Sequence, residues 1–154
     1  MKEKYKVLMI EQLDKKMSAF YDPEVTDVPQ RGWIYTIRKA FNMTRKQLAH
    51  RMRIKPQSLM GLEEREKLGT ITLKSLRQMA AALDMKLVYG FVPNDGSLQL
   101  MIEKRAAQLA REIVGRTHNT MILEDQKVSD ERIKKNLEEK TEELVNTIPS
   151  YLWD

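Results

Sequence analysis

Met43-Thr44-Arg45-Lys46-Gln47-Leu48-Ala49-His50-Arg51-Met52, followed by Arg53-Ile54-Lys55 and Pro56-Gln57-Ser58-Leu59-Met60-Gly61-Leu62-Glu63-Glu64, is the stretch on which the fold turns. It reads as two short helices joined by a tight turn. The Thr44 hydroxyl can accept from the unpaired N–H groups of a first helical turn. Leu48, Ala49 and Met52 then share one face at helical spacing. Arg53-Ile54-Lys55 makes the turn. Pro56 stands where a second helix begins, a position that tolerates its missing N–H. Leu59 and Leu62 face inward, and the small Ala49 lets the helices cross closely. The arrangement predicted is a helix-turn-helix, whose second helix is shaped to lie in the major groove of DNA.

Outward from this stretch the charge is uneven. The chain of 154 residues has a net charge of +5. Residues 30–70 alone hold ten basic residues against three acidic ones, so the remainder is slightly negative. A basic excess centred on such a motif suits the phosphates of double-stranded DNA. At the other end, residues 124–154 carry nine acidic residues against five basic ones, a segment expected to avoid DNA and to suit a basic partner or solvent.

The flanks read as further helices. Tyr5, Leu8, Met9, Leu13, Met17 and Phe20 predict an amphipathic helix from about Lys4 to Ala19, packed on its own domain or on a dimer mate. Asp22 to Pro29 is a connector. Trp33, Ile34, Ile37, Ala40 and Phe41 form the stripe of the next helix, and Asn42 suits its end. Helices are expected at about 31–41, 45–52, 56–64 and 73–83, with Arg65 to Thr70 a loop bending at Gly69 and Thr72 capping the last. From Met85 to Pro93 the period changes to two: Leu87, Tyr89 and Phe91 alternate with Val88, Gly90 and Val92, which predicts a strand. A lone strand needs a partner, and the same strand of a second copy supplies one in a two-fold dimer. Asn94-Asp95-Gly96 is a turn, and Ser97 caps a helix carrying Leu98, Met101, Ile102, Ala106, Leu109 and Ile113, expected to end at Gly115. Ser129 caps a last helix with Ile133, Leu137, Leu144 and Ile148.

The fold class predicted is mainly α: a repressor-like domain of four to five helices with a short strand and additional N- and C-terminal helices. Its parts are 1–29 (amphipathic helix and connector), 30–84 (DNA-binding domain), 85–96 (strand and turn, a dimer sheet) and 97–154 (C-terminal helical extension, a partner-binding region).

Other classes find little support. The chain has no cysteine and two histidines, His50 and His118, so disulfides and a metal site are not expected. There is no Gly-rich phosphate loop and no nucleophile elbow, so neither catalysis nor a cofactor is expected. Lack of a long apolar run and of cysteine predicts a cytoplasmic protein that does not engage the membrane. The ten methionines fall mostly at helical core positions.

The segment from Trp33 to Leu83 resembles the DNA-binding domain of phage repressors and related transcriptional regulators. The resemblance rests on Ile37-Arg38, on Thr44 to Ala49, on Ser58-Leu59-Met60-Gly61-Leu62-Glu63, and on Thr72 to Leu83. It implies that Lys55, Pro56, Gln57 and Gly61 stand where that family contacts base edges, with Ser58 and Met60 beside them. It also implies that Arg45 and Gln47 contact phosphates or buttress the readers. Pro56 cannot donate and Gly61 has no side chain, so Gln57, able to bond an adenine edge at two points, is left as the main reader. Arg65 replaces the family's common glycine after Leu-Glu-x and suggests an added phosphate contact; Lys46 and Lys67 join it in the expected DNA-contacting set.

The whole chain resembles the mobile mystery protein A family, on Arg31-Gly32-Trp33-Ile34, Leu87 to Pro93, Thr120 to Gln126, and the ending Leu144 to Trp153. That resemblance implies pairing with a Fic-domain protein, of a family that typically transfers AMP to protein hydroxyls, and an antitoxin-like repressor role as in a toxin-antitoxin pair. An alternative function is direct inhibition of the Fic enzyme. Thr120 and Glu124 have the Ser/Thr-x-x-x-Glu spacing of Fic inhibitory helices, in which the Glu pairs with an Arg otherwise needed by the ATP γ-phosphate. The same spacing also suits a plain helix cap.

Overall fold

The structure, a computed structural model, describes residues 2–22, 24, 27–123 and 129–154. The described residues are mainly helical and contain no strand. The chain divides into two units, one of residues 23–90 and one of residues 1–22 with 91–154.

In the first unit, helices α2 (Trp33–Ala40), α3 (Arg45–Met52), α4 (Pro56–Leu68) and α5 (Leu73–Ala82) follow one another through short turns. Local chemistry sets most of their ends. Thr44 and Gln47 form a capping box, the Thr44 hydroxyl accepting from the Gln47 N–H while the Gln47 carbonyl accepts from the Thr44 N–H. Thr72 accepts from the Ser75 N–H. Asn42 adopts a left-handed conformation after α2, and Gly69 does so at the end of α4.

Ile34, Leu48, Ala49, Leu59, Met79 and Leu83 form the core, with Ile37, Met52, Ile54 and Leu62 packed against it. Two expectations fail here. Trp33 and Phe41 are about half exposed, because the inward face of α2 is turned by the burial of Arg38 beside Ile34. Arg65 to Leu68 is not a loop: α4 runs on to Leu68, since nothing before Gly69 offers the backbone a better set of bonds.

The expected strand at 85–93 is absent as well. Met85 N–H bonds back to Ala80, and the N–H groups of residues 86–92 find no backbone acceptor in the described chain. A strand exists only through a neighbour, and the described residues provide none.

In the second unit, α1 (Lys2–Met17) packs with α6 (Leu98–Leu123) and α7 (Asp130–Thr147). Ile102, Ala106, Ala110, Leu144 and Leu152 are its core. Ala106 and Ala110 are fully buried, so α6 presents small side chains where α7 approaches it. Gly115 does not end α6, which continues to Leu123; with no left-handed turn formed there, Gly115 remains an ordinary helical residue.

Helix α1 docks by a route the apolar pattern does not reveal. Tyr5, Leu8, Met9 and Leu13 are exposed, while Lys6, Ile10, Asp14 and Met17 are half-buried. The Lys6 ammonium donates to the Thr147 and Ile148 carbonyls at the end of α7, each at 3.0 Å. The Asp14 carboxylate accepts from the Leu98 and Gln99 N–H groups at the start of α6, at 2.7 and 3.2 Å. A cation at a helix C-terminus and an anion at a helix N-terminus are both favoured by the unpaired backbone groups there. No helix of the described residues is long and apolar enough to cross a membrane.

Candidate nucleic-acid interface

The basic surface is built on α3 and α4, and a buried ion cluster fixes the two helices. Arg38 on α2 and Glu63 on α4 are each 5% exposed. The Arg38 Nε donates to Glu63 Oε1 at 2.6 Å and its Nη2 to Oε2 at 3.2 Å, a two-pronged pair, while Nη1 donates to the Met43 carbonyl at 2.9 Å. Arg45, at the start of α3, adds its Nε to Glu63 Oε2 at 3.1 Å with its side chain 44% exposed. One buried carboxylate therefore ties together the start of α3, the middle of α4 and the face of α2. Paired, planar geometry of this kind suits guanidinium groups better than ammonium groups. The sequence shows no sign of this cluster beyond the residue types, because its members lie 18 and 25 positions from Glu63.

This alters two expected roles. Arg45 is a member of the scaffold as much as a surface cation, its side chain 44% exposed while its Nε holds Glu63. Gln47 spends its carbonyl oxygen on the Thr44 cap, leaving its amide N–H groups for any ligand.

The other expected contacts are exposed. Lys46 lies on α3, and Lys55, Pro56, Gln57, Ser58 and Met60 open α4 with free side chains. Arg53, in a left-handed conformation, makes the turn between the helices. Lys67 lies toward the far end of α4, 3.8 Å from Glu64, an exposed pair of small worth. Among the described residues no group of His, Asp and Glu could hold a metal ion.

Arg65 and Gly61 form an arrangement not foreseen in the sequence. Gln57, Gly61 and Arg65 fall one above another at steps of four on α4. A methyl group on Gly61 would lie 3.6 Å from an Arg65 guanidinium nitrogen. The Arg65 side chain thus lies over the bare backbone of Gly61, covering a position that has no side chain of its own. Gly61→Ala is expected to stabilise the helix by about 0.5–1 kcal/mol, since Gly61 has ordinary helical backbone and the new methyl meets only van der Waals contact. If this face of α4 meets DNA, the added methyl is expected to weaken binding by occupying the contact surface while leaving the Arg65 conformer in place. Thermal melts and titrations on one duplex check both signs; a variant that binds as wild type does would show that DNA does not approach α4 at Gly61.

Beyond these residues, Glu66 holds the start of α2. Its carboxylate accepts from the Trp33 N–H at 2.5 Å and from the Ile34 N–H at 3.2 Å. Gly32, at φ +88°, lies so close that an added Cβ would come within 2.8 Å of the Glu66 carboxyl carbon. Burial pushes the Glu66 carboxyl above its ordinary value; the two backbone bonds oppose the shift, and the negative Glu63 adds to it. The folded state therefore holds the Glu66 proton to a higher pH than the unfolded chain. This group's contribution to stability is full below the ordinary carboxylate range and declines as pH rises through the raised value. Glu66→Gln is expected to remove that decline, measured as urea midpoints between pH 4 and 7. An unchanged pH profile would mean that Glu66 is solvated.

Thr120 lies within α6, exposed, its hydroxyl donating to the Arg116 carbonyl at 3.0 Å, and so does not cap a helix. Glu124 lies outside the described residues. The chain matches no family model, no curated protein and no solved structure.

Proposed function

We propose that the chain is a sequence-specific DNA-binding transcriptional regulator acting as a dimer, with α3 and α4 as a helix-turn-helix. The observation that carries this reading is the pairing of an exposed edge with a rigid support. Lys46, Lys55, Gln57 and Arg65 stand free on two helices whose crossing is clamped by Arg38, Glu63 and Arg45. Base reading needs side chains held in fixed register, and phosphate contacts provide that register. Gln57 reads a base edge in the major groove, while Lys46, Lys55 and Arg65 meet phosphates.

Selection from a pool of random duplexes tests this. A recovered motif with two related half-sites about one helical turn apart is expected, bound with a steep salt dependence. Recovery of random sequence with the same affinity would reject the specific reading.

The antitoxin-like role belongs to the same proposal. It rests on the resemblance to the mobile mystery protein A family and predicts a stable complex with a Fic-domain protein. Inhibition of that partner through Thr120 and Glu124 is the alternative role. It is favoured by the exposure of Thr120 on a helix that carries it clear of any cap. Glu124→Gly is then expected to restore AMP transfer in the complex; equal suppression by wild type and variant would remove Glu124 from the mechanism.

A further inference from the structure

The unit of residues 23–90 has a second apolar feature. A groove of about 560 Å³ is lined chiefly by Trp33, Ile37, Ile71, Leu76, Leu83 and Leu87, with Val28, Met85 and Val88 at its margin. It involves Glu66 and Gly69, at the C-terminal end of α4. Glu66 lies nine positions after Gln57, roughly 13 Å along the helix axis. An occupant of the groove would leave the start of α4 free.

The groove is continuous with an unguarded segment. Its wall includes Met85, Leu87 and Val88, and the chain then runs on through Tyr89, Gly90, Phe91 and Val92. The N–H groups of residues 86–92 make no backbone bond in the described chain. Val88 is 68%, Tyr89 56% and Phe91 79% exposed. Edges that stay bare in water carry charges or prolines; this one has no charge between Leu87 and Val92, and its first proline is Pro93. The exposed parts of Val28, Trp33, Met85, Val88 and Tyr89 amount to roughly 500 Å² of side-chain surface, taking about 150–250 Å² for a whole large side chain. Adding the exposed parts of Phe91 (79%) and Val92 (44%) brings the total near the about 800 Å² per partner that a standard interface buries.

We infer that a second copy of this chain covers this surface. Residues 86–92 of the two copies pair as an antiparallel two-stranded ribbon, and the ribbon closes the groove beside Leu87 and Val88. Self-pairing suits the segment because its alternation is the same in both copies. Leu87, Tyr89 and Phe91 of each then share one face of the ribbon; the one charge within the segment, Lys86, stands opposite the uncharged Val92 of the other copy, and Arg77, 5.7 Å from the Tyr89 ring centroid, supplies a cation over that ring. Two-fold pairing also presents two copies of α4. The inference rests on the proposed DNA reading only for that last consequence, because the interface is argued from apolar surface and unpaired backbone.

Sedimentation equilibrium of the full chain without DNA tests it, with failure of dimerisation separable from failure of DNA reading. Wild type is expected to dimerise at micromolar concentration. Val88→Pro, which removes one ribbon N–H, and Phe91→Asp, at an exposed side chain, are each expected to weaken the dimer by about tenfold or more, with helix content unchanged by circular dichroism. Leu8→Asp, on the exposed face of α1, is expected to leave it unchanged. Because the chain has no cysteine, Tyr89→Cys is expected to cross-link two copies on mild oxidation and Tyr5→Cys to give no cross-linked species. A wild type that is monomeric at 100 times micromolar concentration, or a dimer broken by Leu8→Asp and indifferent to Val88→Pro and Phe91→Asp, would overturn the inference.

Discussion

Glu63→Ala is expected to lower the stability of the 23–90 unit by about 3–5 kcal/mol, the cost of leaving a buried charge without its partner. Arg38 is 5% exposed and would keep only its bond to the Met43 carbonyl and its place over the Tyr35 ring. Arg45 would suffer less, since nearly half of its side chain already meets solvent. The converse matters as much. Replacing Arg38 and Glu63 together by Met and Leu is expected to recover most of the loss, because apolar side chains of similar volume avoid the desolvation of both ions. Urea unfolding followed at Trp33, in a Trp153→Phe background, isolates this unit from the other. A slope equal to that of wild type licenses the comparison. A loss below about 1 kcal/mol for Glu63→Ala would mean that water reaches the cluster.

The double replacement also separates stability from register. If the cluster serves to orient α3 against α4, the apolar variant will be stable and yet bind a duplex more weakly than wild type. If the apolar variant binds equally well, packing of Leu48, Ala49 and Leu59 is sufficient to set the crossing.

The second large effect concerns the proposed DNA surface. Removing Lys46, Lys55 and Arg65 together by alanine is expected to reduce the slope of log K against log salt by about 3, close to one for each phosphate contact. The loss should be similar on every duplex. Gln57→Ala is expected to behave otherwise, with its salt slope unchanged and discrimination reduced by about 1–3 kcal/mol at one base pair of each half-site. Titrations at several salt concentrations, on a selected duplex and its single-base variants, distinguish the two. If the triple variant keeps the wild-type slope, the basic residues do not face phosphate. If Gln57→Ala discriminates as wild type does, base reading lies elsewhere on α4. Arg45 is a poor choice for this test, since its loss also removes one of the two guanidinium groups on Glu63.

Local backbone chemistry was legible without any structure. Thr44, Thr72, Ser97 and Ser129 each cap the helix expected of them, and Pro56 opens α4. These features depend on residues three or four apart, and spacing in the chain reports them directly. Leu48, Leu59 and Leu144 were recognisable as core for the same reason, their helical period being long enough to read.

Readings failed where a signal had two meanings. Gly115 suggests a stop in the sequence, yet glycine ends a helix only when the chain adopts a left-handed turn, and here it does not. Residues 65–70 read as a loop bending at Gly69, yet the helix runs on to Leu68 and the left-handed Gly69 only caps it. Side-chain type and alternation at 85–93 suggest a strand, but strand formation belongs to a pair of segments.

By itself the sequence determined the helical segments, most of their caps, the apolar stripes of the 23–90 core and the basic excess around α3 and α4. Each of these is a property of neighbours in the chain. Only the tertiary structure decided that Arg38, Arg45 and Glu63 share one buried site. It alone turned α1 onto Lys6 and Asp14 in place of its apolar stripe, laid Arg65 over Gly61, and left the N–H groups of residues 86–92 without a backbone partner among the described residues. Ion pairs and helix-end bonds join residues up to 142 positions apart. Their partners are chosen by which surfaces the core packing brings together, and no spacing rule along the chain encodes that choice.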